Sequence, residues 1–183
     1  MSNELTRQLV HIILFTPAFL LPVVSRWQLG LILFGLLILS LTLVPYSGWK
    51  KYLFRDQNKK YSRGAIAYFG ILIILTLLFP FRAAAAGWAA LSLGDGFATL
   101  FGSHLGKTKL PWNKKRTYVG SLSFFISTFI GAIIILLWLD PIKPILLEAA
   151  VAAAAGALVE SLPLKIDDNL TVPLIVAGLL SLI

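Results

Sequence analysis

Residues 119–139 decide the fold: they have the sequence VGSLSFFISTFIGAIIILLWL, without one charged side chain. About 20 consecutive apolar residues are enough for an α-helix to cross the hydrocarbon core of a bilayer. A chain inside lipid must satisfy its own backbone hydrogen bonds, which a helix does and an open strand does not. The stretch therefore predicts a transmembrane helix.

Six further apolar segments are found among the 183 residues, and none alternates polar and apolar residues as the strands of a membrane barrel do. Only 13% of the residues are charged and the mean hydropathy is +0.86, whereas soluble domains have about 25% charged residues. Cysteine is absent, which excludes disulfides and thiolate chemistry. We predict an all-α, polytopic integral membrane protein of one domain, 1–183, with about seven transmembrane helices. The predicted spans are 9–24, 29–44, 65–81, 83–101, 119–139, 144–162 and 170–183.

The basic residues predict the orientation of this bundle. Thirteen of the sixteen Lys and Arg residues, Arg55 among them, lie in the N-terminal segment and in the second, fourth and sixth loops. The other three are Arg26, Arg82 and Lys143. Because basic residues concentrate in cytoplasmic loops, the N-terminus is expected in the cytoplasm. Topology then explains the net charge of +8, and no nucleic-acid partner is expected.

Asp95 is the most informative residue, because it lies inside a predicted span, in the sequence LGDGF at 93–97. A charge in the middle of a membrane costs about 3 kcal/mol or more, so such residues usually face the interior of a bundle and have a function. The flanking glycines would let a backbone or a ligand approach closely. The alternative is a salt bridge between helices, with Arg82 or Lys107 as the partner.

Other polar residues lie at the predicted cytoplasmic ends of the segments. Glu160 is near the end of the sixth span, and an Asp-Asp-Asn run follows it in the sixth loop. Arg7 and His11 are four residues apart, on one face of the first segment. One pocket facing the cytoplasm is expected to hold Asp95 together with Arg7, His11, Glu160, Asp167, Asp168 and Asn169.

The fourth loop supplies the opposite charge, with GSHLGKTKL at 102–110 and KKRT at 114–117. Carboxylates beside Lys and Arg suit a metal–triphosphate, because Mg²⁺ takes one or two carboxylates and the phosphate oxygens of the substrate. The basic side chains would neutralise the remaining charge. The alternative interpretation is that this loop only sets the topology. Its GxxxGKT run is one residue shorter than a Walker A loop and lies in no βαβ unit, so it does not predict a P-loop.

Four stretches carry a family pattern: ELTRQLVH at 4–11, GDGFATLFGSHLGKTKLP at 94–111, KRTYVGSLSFF at 115–125 and LVESLPLKIDDNLTVPL at 158–174. Together they resemble the polyprenol kinase family, which includes kinases of dolichol, phytol and diacylglycerol and is distantly related to phosphatidate cytidylyltransferase. Residues 25–80 match only as generic membrane helix. Gln8 and Arg116 stand where the family more often has lysine, which leaves the nucleotide preference open.

The resemblance implies two sets of site residues. Three acidic residues would hold Mg²⁺, and one of them would accept the proton of the substrate hydroxyl. They are Asp95, Glu160 and Asp168. A second set would bind the nucleotide and its phosphates, with the residues of the first segment closing the site. They are Arg7, His11, Gly102, Gly106, Lys107, Lys109, Arg116, Thr117, Gly120, Ser121 and Asn169.

The reaction that the resemblance implies is transfer of the γ-phosphoryl group of CTP to the hydroxyl of a membrane-dissolved prenol, such as phytol or a polyprenol, at the cytoplasmic face. The alcohol would enter from the bilayer between helices rich in Ala and Gly. One alternative is a cytidylyltransferase, which would join CMP to a phospholipid and release pyrophosphate. Another is a small anion transporter, although the charges lie on one side and no inverted repeat is visible.

Overall fold

The computed structural model describes residues 3–54, 56–142 and 144–183, so Arg55 and Lys143 of the orientation prediction lie outside it. Within these ranges the chain forms α-helices and no β-strand, apart from one isolated bridge between Lys109 and Thr117. The prediction of an all-α fold is confirmed. The nine α-helices of the described ranges are α1 Asn3–Ile13, α2 Arg26–Thr42, α3 Lys50–Leu53, α4 Arg63–Leu78, α5 Phe81–Ala89, α6 Asp95–His104, α7 Tyr118–Leu139, α8 Ile145–Ser161 and α9 Asp168–Leu180.

Within the described ranges, two helical stretches are long and apolar enough to cross a membrane: Arg26–Tyr46, in which a 3₁₀ turn extends α2, and Tyr118–Leu139, which is α7. Helices α4 and α9 are apolar but shorter. The outer faces of the two long helices carry exposed apolar side chains, such as Leu31 at 71% and Leu122 at 60% exposure. Large exposed apolar surface is typical of proteins that contact a membrane or a partner. The number of spans and the orientation stay predictions.

The first predicted span, 9–24, is wrong as a single helix. Helix α1 ends at Ile13, and a separate 3₁₀ turn covers Thr16–Leu20. Pro17 cannot continue the helix because it lacks an N–H group and its ring clashes with the preceding turn. At 1.5 Å per residue α1 extends only about 16 Å, which is about half of the hydrocarbon thickness of a bilayer.

A π-helical turn, Ala90–Gly94, joins α5 and α6 into one helical segment over 81–104. Such turns interrupt the regular α-helical ladder and are frequent at functional sites. Gly94 closes the turn and lies directly before Asp95. A Cβ atom on Gly94 would come within 2.7 Å of the Phe124 ring on α7, so glycine is needed for this approach of the two helices.

The segment 81–104 packs against α7 and α9, and α8 completes the core. Its alanines at 83–86 are fully buried there, as are Ala152 and Ala153 of α8. Small side chains let helix backbones approach closely. The route of lipid entry that we predicted between the alanine-rich helices is therefore closed in the structure.

At one end of the core, Arg82 of α5 forms an ion pair with Glu148 of α8. Its Nη2 and Nε atoms lie 2.7 and 3.0 Å from Glu148 Oε2, and Nη1 donates to the backbone carbonyl of Asp140 at 2.9 Å. Arg82 precedes Asp95 by thirteen residues in one helical segment, about 20 Å along the axis. The salt bridge between Arg82 and Asp95 considered above is therefore excluded.

Replacing Arg82 by Met should destabilise the protein, because it leaves the Glu148 carboxylate buried without its partner. Breaking one side of a buried ion pair costs about 3–5 kcal/mol, whereas replacing both partners by apolar groups is often neutral. We therefore expect a clear fall in the Tm of the detergent-solubilised single variant and recovery of most of it in Arg82→Met/Glu148→Leu. Equal Tm losses in the single and the double variant would contradict this role.

Candidate functional site

A cavity of about 1230 Å³ lies at the end of the bundle where the N-terminal helix and several loops meet. Its walls come from α1, the end of α2, the starts of α4 and α6, and the loops that precede α4, α7 and α9. It is larger than the roughly 300–1000 Å³ of ordinary small-molecule sites. The N-terminal helix and the second, fourth and sixth loops thus lie together, as the sequence predicted. The side of the membrane on which they lie stays a prediction.

The structure brings most of the predicted charged residues to this cavity. Glu160 lies behind the lining, at 1% exposure, where it accepts a hydrogen bond from Ser121 Oγ at 3.3 Å. Asn169 is fixed at the start of α9, because its backbone N–H donates to Asp167 Oδ1 at 3.0 Å. The predicted site residues that line the cavity are Arg7, His11, Asp95, Arg116, Asp168 and Asn169.

Arg116 joins two of the predicted carboxylates. Its Nη1 atom lies 3.0 Å from Glu160 Oε1, and Nη2 donates to Asp168 Oδ2. A planar guanidinium can engage two carboxylates in fixed geometry, which a lysine ammonium cannot. Asn113 Nδ2 donates to the backbone carbonyl of Ser161 at 3.1 Å and so holds the loop of Arg116 against the end of α8.

The pKa values in this cluster are shifted by its crowding. Burial alone would lower the pKa of Arg116, but the charges of Glu160, Asp95 and Asp168 outweigh it and raise the pKa. Burial raises the pKa of Asp168, and the opposing charge of Arg116 does not cancel this shift. One guanidinium thus faces three carboxylates, and a further cation would balance the remaining negative charge when all three are ionised.

Asp95 is approached from α1. His11 Nε2 lies 3.8 Å from Asp95 Oδ2 and 2.9 Å from the backbone carbonyl of Leu91 in the π turn. Since a carbonyl only accepts hydrogen bonds, Nε2 carries the proton that is donated to it. The side chain of Asp95 is 22% exposed and lines the cavity, as expected for a group that meets a substrate.

The rest of the α1 face is organised around Glu4. Arg7 Nη2 and Gln8 Nε2 donate to Glu4 Oε1 at 2.5 and 2.8 Å. Gln8 is buried, and its Oε1 atom has no hydrogen-bond partner within the described part of the chain. Arg7 and Gln8 both line the cavity, so the departure from lysine at position 8 lies inside the site.

The donor set fits Mg²⁺ that arrives with a nucleotide. Among the described residues, no three His, Cys, Asp or Glu side chains are grouped so that they alone could hold a metal ion. Arg116 is engaged with both Glu160 and Asp168, while Asp95 and Asp168 line one cavity. Mg²⁺ needs only one or two carboxylates and takes its remaining ligands from water and phosphate oxygens.

The glycines of the fourth loop pack against the start of α7. Thr117 Oγ1 accepts the hydrogen bond that caps α7, from the Gly120 N–H at 3.0 Å. Added Cβ atoms on Gly102 and Gly120 would lie 3.2 and 3.0 Å from this oxygen, and one on Gly106 would clash with it. None of these four residues lines the cavity, so their nucleotide-binding roles stay predictions and their visible role is close packing.

Sequence reasoning missed much of the basic lining. Lys107 and Lys109 are exposed and lie outside the cavity lining, so their role in phosphate binding stays a prediction. The sequence offers no signal that distinguishes loop lysines that line the cavity from those that do not. Lys114 and Lys115 are adjacent, and only Lys115 lines the cavity. The basic side chains that line the cavity without having been predicted as site residues are Lys59, Arg63, Lys115 and Lys165.

Tyr68 of α4 was also missed. It is buried, and its hydroxyl lies 2.5 Å from Ser92 Oγ in the π turn. Its ring packs edge-on against His11, with 4.5 Å between the ring centroids. Polar side chains at these positions inside two apolar segments were a signal in the sequence, and in the structure the Tyr68 ring packs against His11, which lies beside Asp95.

Comparison with known proteins identifies plant relatives. The chain is 32% identical over 196 residues to a probable chloroplastic phytol kinase of Zea mays and 27% identical over 195 residues to the chloroplastic phytol kinase 1 of Arabidopsis thaliana, in each case over 94% of this chain and 64% of the relative. It is 28% identical over 156 residues to the chloroplastic farnesol kinase of Arabidopsis thaliana, over 79% of this chain and 51% of the relative. The chain thus spans less than two thirds of the length of these relatives. No family model matches it, and no solved structure gives a significant match.

Thr117 offers a test of its capping role. Thr117→Val removes the side-chain acceptor of the Gly120 N–H, which costs about 1 kcal/mol and should lower the Tm by about 2–4 °C. Thr117→Ser keeps the hydroxyl and should keep the Tm. Both variants are measured in detergent without nucleotide, and an unchanged Tm in Thr117→Val would contradict the assignment.

Proposed function

This chain is a homologue of phytol and farnesol kinases, which are lipid-alcohol kinases, and we propose that it transfers the γ-phosphoryl group of CTP to the hydroxyl of a membrane-dissolved prenol. One observation carries the proposal. A single cavity is lined both by charged side chains, Asp95, Arg116 and Asp168 among them, and by apolar side chains of α1 and α2. We call the parts lined by these two groups the charged end and the apolar end of the cavity. A nucleotide needs the first kind of wall and a lipid alcohol needs the second.

The charged end provides what phosphoryl transfer requires, which is positioning and neutralisation of charge rather than a covalent intermediate. Arg116 is positioned by Glu160 and offers its guanidinium to phosphate oxygens. Lys115 lines the cavity beside it and adds a second positive charge. Asn169 lies at the start of α9 and donates an amide hydrogen bond to a phosphate oxygen.

Asp95 is the residue that we assign to the acceptor alcohol. It lies beside His11, whose neighbour Val10 lines the apolar end. The alcohol oxygen attacks the γ-phosphorus, the bond from phosphorus to the β,γ-bridging oxygen breaks, and CDP leaves. The hydroxyl proton passes to the carboxylate of Asp95, as in general base catalysis.

Mg²⁺ fits this assignment, with Asp95 and Asp168 as its protein ligands and Glu160 acting through Arg116. When bound, the ion would neutralise negative charge on the triphosphate. CTP as the donor rests on the resemblance of the sequence motifs. The cytoplasmic position of the site rests on the concentration of basic residues in the loops that line the cavity.

The assignment is tested with protein purified in detergent, Mg²⁺ and CTP labelled at the γ-phosphate. Phytol, farnesol, geranylgeraniol, a polyprenol and diacylglycerol are offered as acceptors. We expect label in a prenol and a loss of at least about 100-fold in Asp95→Asn, in line with removal of a general base. No label in any lipid, or transfer of an α-phosphate label to lipid with release of pyrophosphate, would refute the kinase.

The basic lining predicts a difference between two adjacent lysines. Both lysines are exposed, but Lys115 lines the cavity and Lys114 does not. Lys115→Gln should raise the KM for the nucleotide about tenfold, the effect of losing about 1.4 kcal/mol of charge-assisted binding. Lys114→Gln removes the same charge from the same loop and should leave the KM unchanged. Equal effects of the two variants would mean that only the general charge of the loop matters.

A further inference from the structure

The apolar end of the cavity lies between α1 and α2, and we infer that it is the subsite for the isoprenoid chain of the lipid alcohol, with Leu36 and Leu39 of α2 limiting the chain length that fits. This inference rests on the proposed function and assigns residues to the acceptor subsite. The apolar side chains of α1 and α2 that line it are Val10, Leu14, Leu36 and Leu39.

The wall formed by α2 is one face of that helix. Leu36, Leu39 and Ser40 are three and four residues apart, so they lie side by side on the helix surface, and all three line the cavity. The hydroxyl of Ser40 donates to the backbone carbonyl of Leu37 at 2.7 Å. Its hydrogen is therefore used within the helix, and the face offers a ligand mainly hydrocarbon.

The wall formed by α1 leads to the reacting group. Val10 and Leu14 are four residues apart on α1 and at its end, and His11 lies between them in the sequence. His11 is the residue that reaches Asp95, at 3.8 Å. A chain lying along Val10 and Leu14 therefore lies beside the residue that reaches Asp95, and we infer that its hydroxyl end is the end at Asp95.

The position of α2 identifies the occupant as a lipid chain. Helix α2 belongs to a stretch long and apolar enough to cross a membrane, and its outer face is apolar, with Ile38 43% exposed. It packs on α4, while α1 packs on α6 and α3. The space between α1 and α2 therefore borders the surface that contacts lipid, whereas the alanine-rich helices are closed.

A pair of variants tests this subsite. Leu39→Trp adds bulk to the wall and should hinder geranylgeraniol, with about 20 carbons, more than farnesol, with about 15. The ratio of the KM for geranylgeraniol to the KM for farnesol should rise about tenfold, which is a typical discrimination for a few methylenes in an apolar pocket. The KM for CTP should stay the same. Ile38→Trp adds the same bulk at the neighbouring residue, which lies outside the cavity lining. It should change neither the ratio of the two KM values nor the KM for CTP.

A binding experiment separates this inference from the proposed reaction. A farnesol analogue with a diazirine at the end of its chain is cross-linked to the wild-type protein and to Asp95→Asn, and the labelled peptide is mapped. We expect the label on α1 or α2 in both proteins, and competition by excess phytol but not by a phospholipid with two acyl chains. If this labelling pattern is found in a protein that has no kinase activity, the proposed reaction is refuted and the assignment of the isoprenoid subsite stands.

Three results would overturn the subsite itself. Label on a segment other than α1 and α2 would place the chain elsewhere. Competition by phospholipid equal to that by phytol would identify the groove as a site for acyl chains of the bilayer. Finally, the wild-type enzyme could be active while Leu39→Trp and Ile38→Trp shift the ratio of the KM values for geranylgeraniol and farnesol equally. That result would show that Leu36 and Leu39 of α2 do not limit the chain length.

Discussion

The guanidinium of Arg116 is the group on which the charged end of the cavity depends. It contacts Glu160 at the end of α8 and Asp168 at the start of α9, so a single side chain ties the fourth loop to both of these helices. Glu160 is buried, and a carboxylate there would be strongly unfavourable without a positive partner. The same contacts that make the burial possible also aim a guanidinium at the space where phosphates are expected. Stability and function thus need the same charge in the same place.

The second determinant is the approach of segment 81–104 to α7. The π turn precedes Asp95, and Gly94 lets the Phe124 ring come close to the backbone there. Tyr68 reaches this turn through Ser92 and supports the His11 ring from the side. Asp95 is therefore held by main-chain geometry and by neighbours on α1 and α4. A carboxylate that is already held in place loses less conformational entropy when a substrate binds than a carboxylate on a flexible loop would.

The sequence predicted the parts of this protein that follow from local chemistry. The helical fold follows from uninterrupted apolar runs. The gathering of the site residues follows from the positions of Arg7, His11, Arg116, Asp168 and Asn169 near the ends of those runs and of Asp95 in the nearer half of its run. It did not predict which lysines line the cavity, because Lys114 and Lys115 differ only in the direction that a folded loop gives them. It also placed lipid entry between helices rich in Ala and Gly, but the alanines at 83–86 are buried in helix contacts, because small side chains let helix backbones approach closely.

The early end of α1 explains why there is a groove at all. Pro17 stops the helix, and the backbone carbonyls that follow accept hydrogen bonds from two tryptophans: Trp88 Nε1 donates to Leu14 at 2.9 Å, and Trp138 Nε1 donates to Phe19 at 3.1 Å. The segment that directly follows α1 is thus fixed to α5 and α7. A longer, straight α1 could pack along α2 and fill the space between them. Because it is short and held to the core, the charged end stays open to water and the apolar end stays beside lipid, and reaction between a nucleotide and a membrane alcohol requires both.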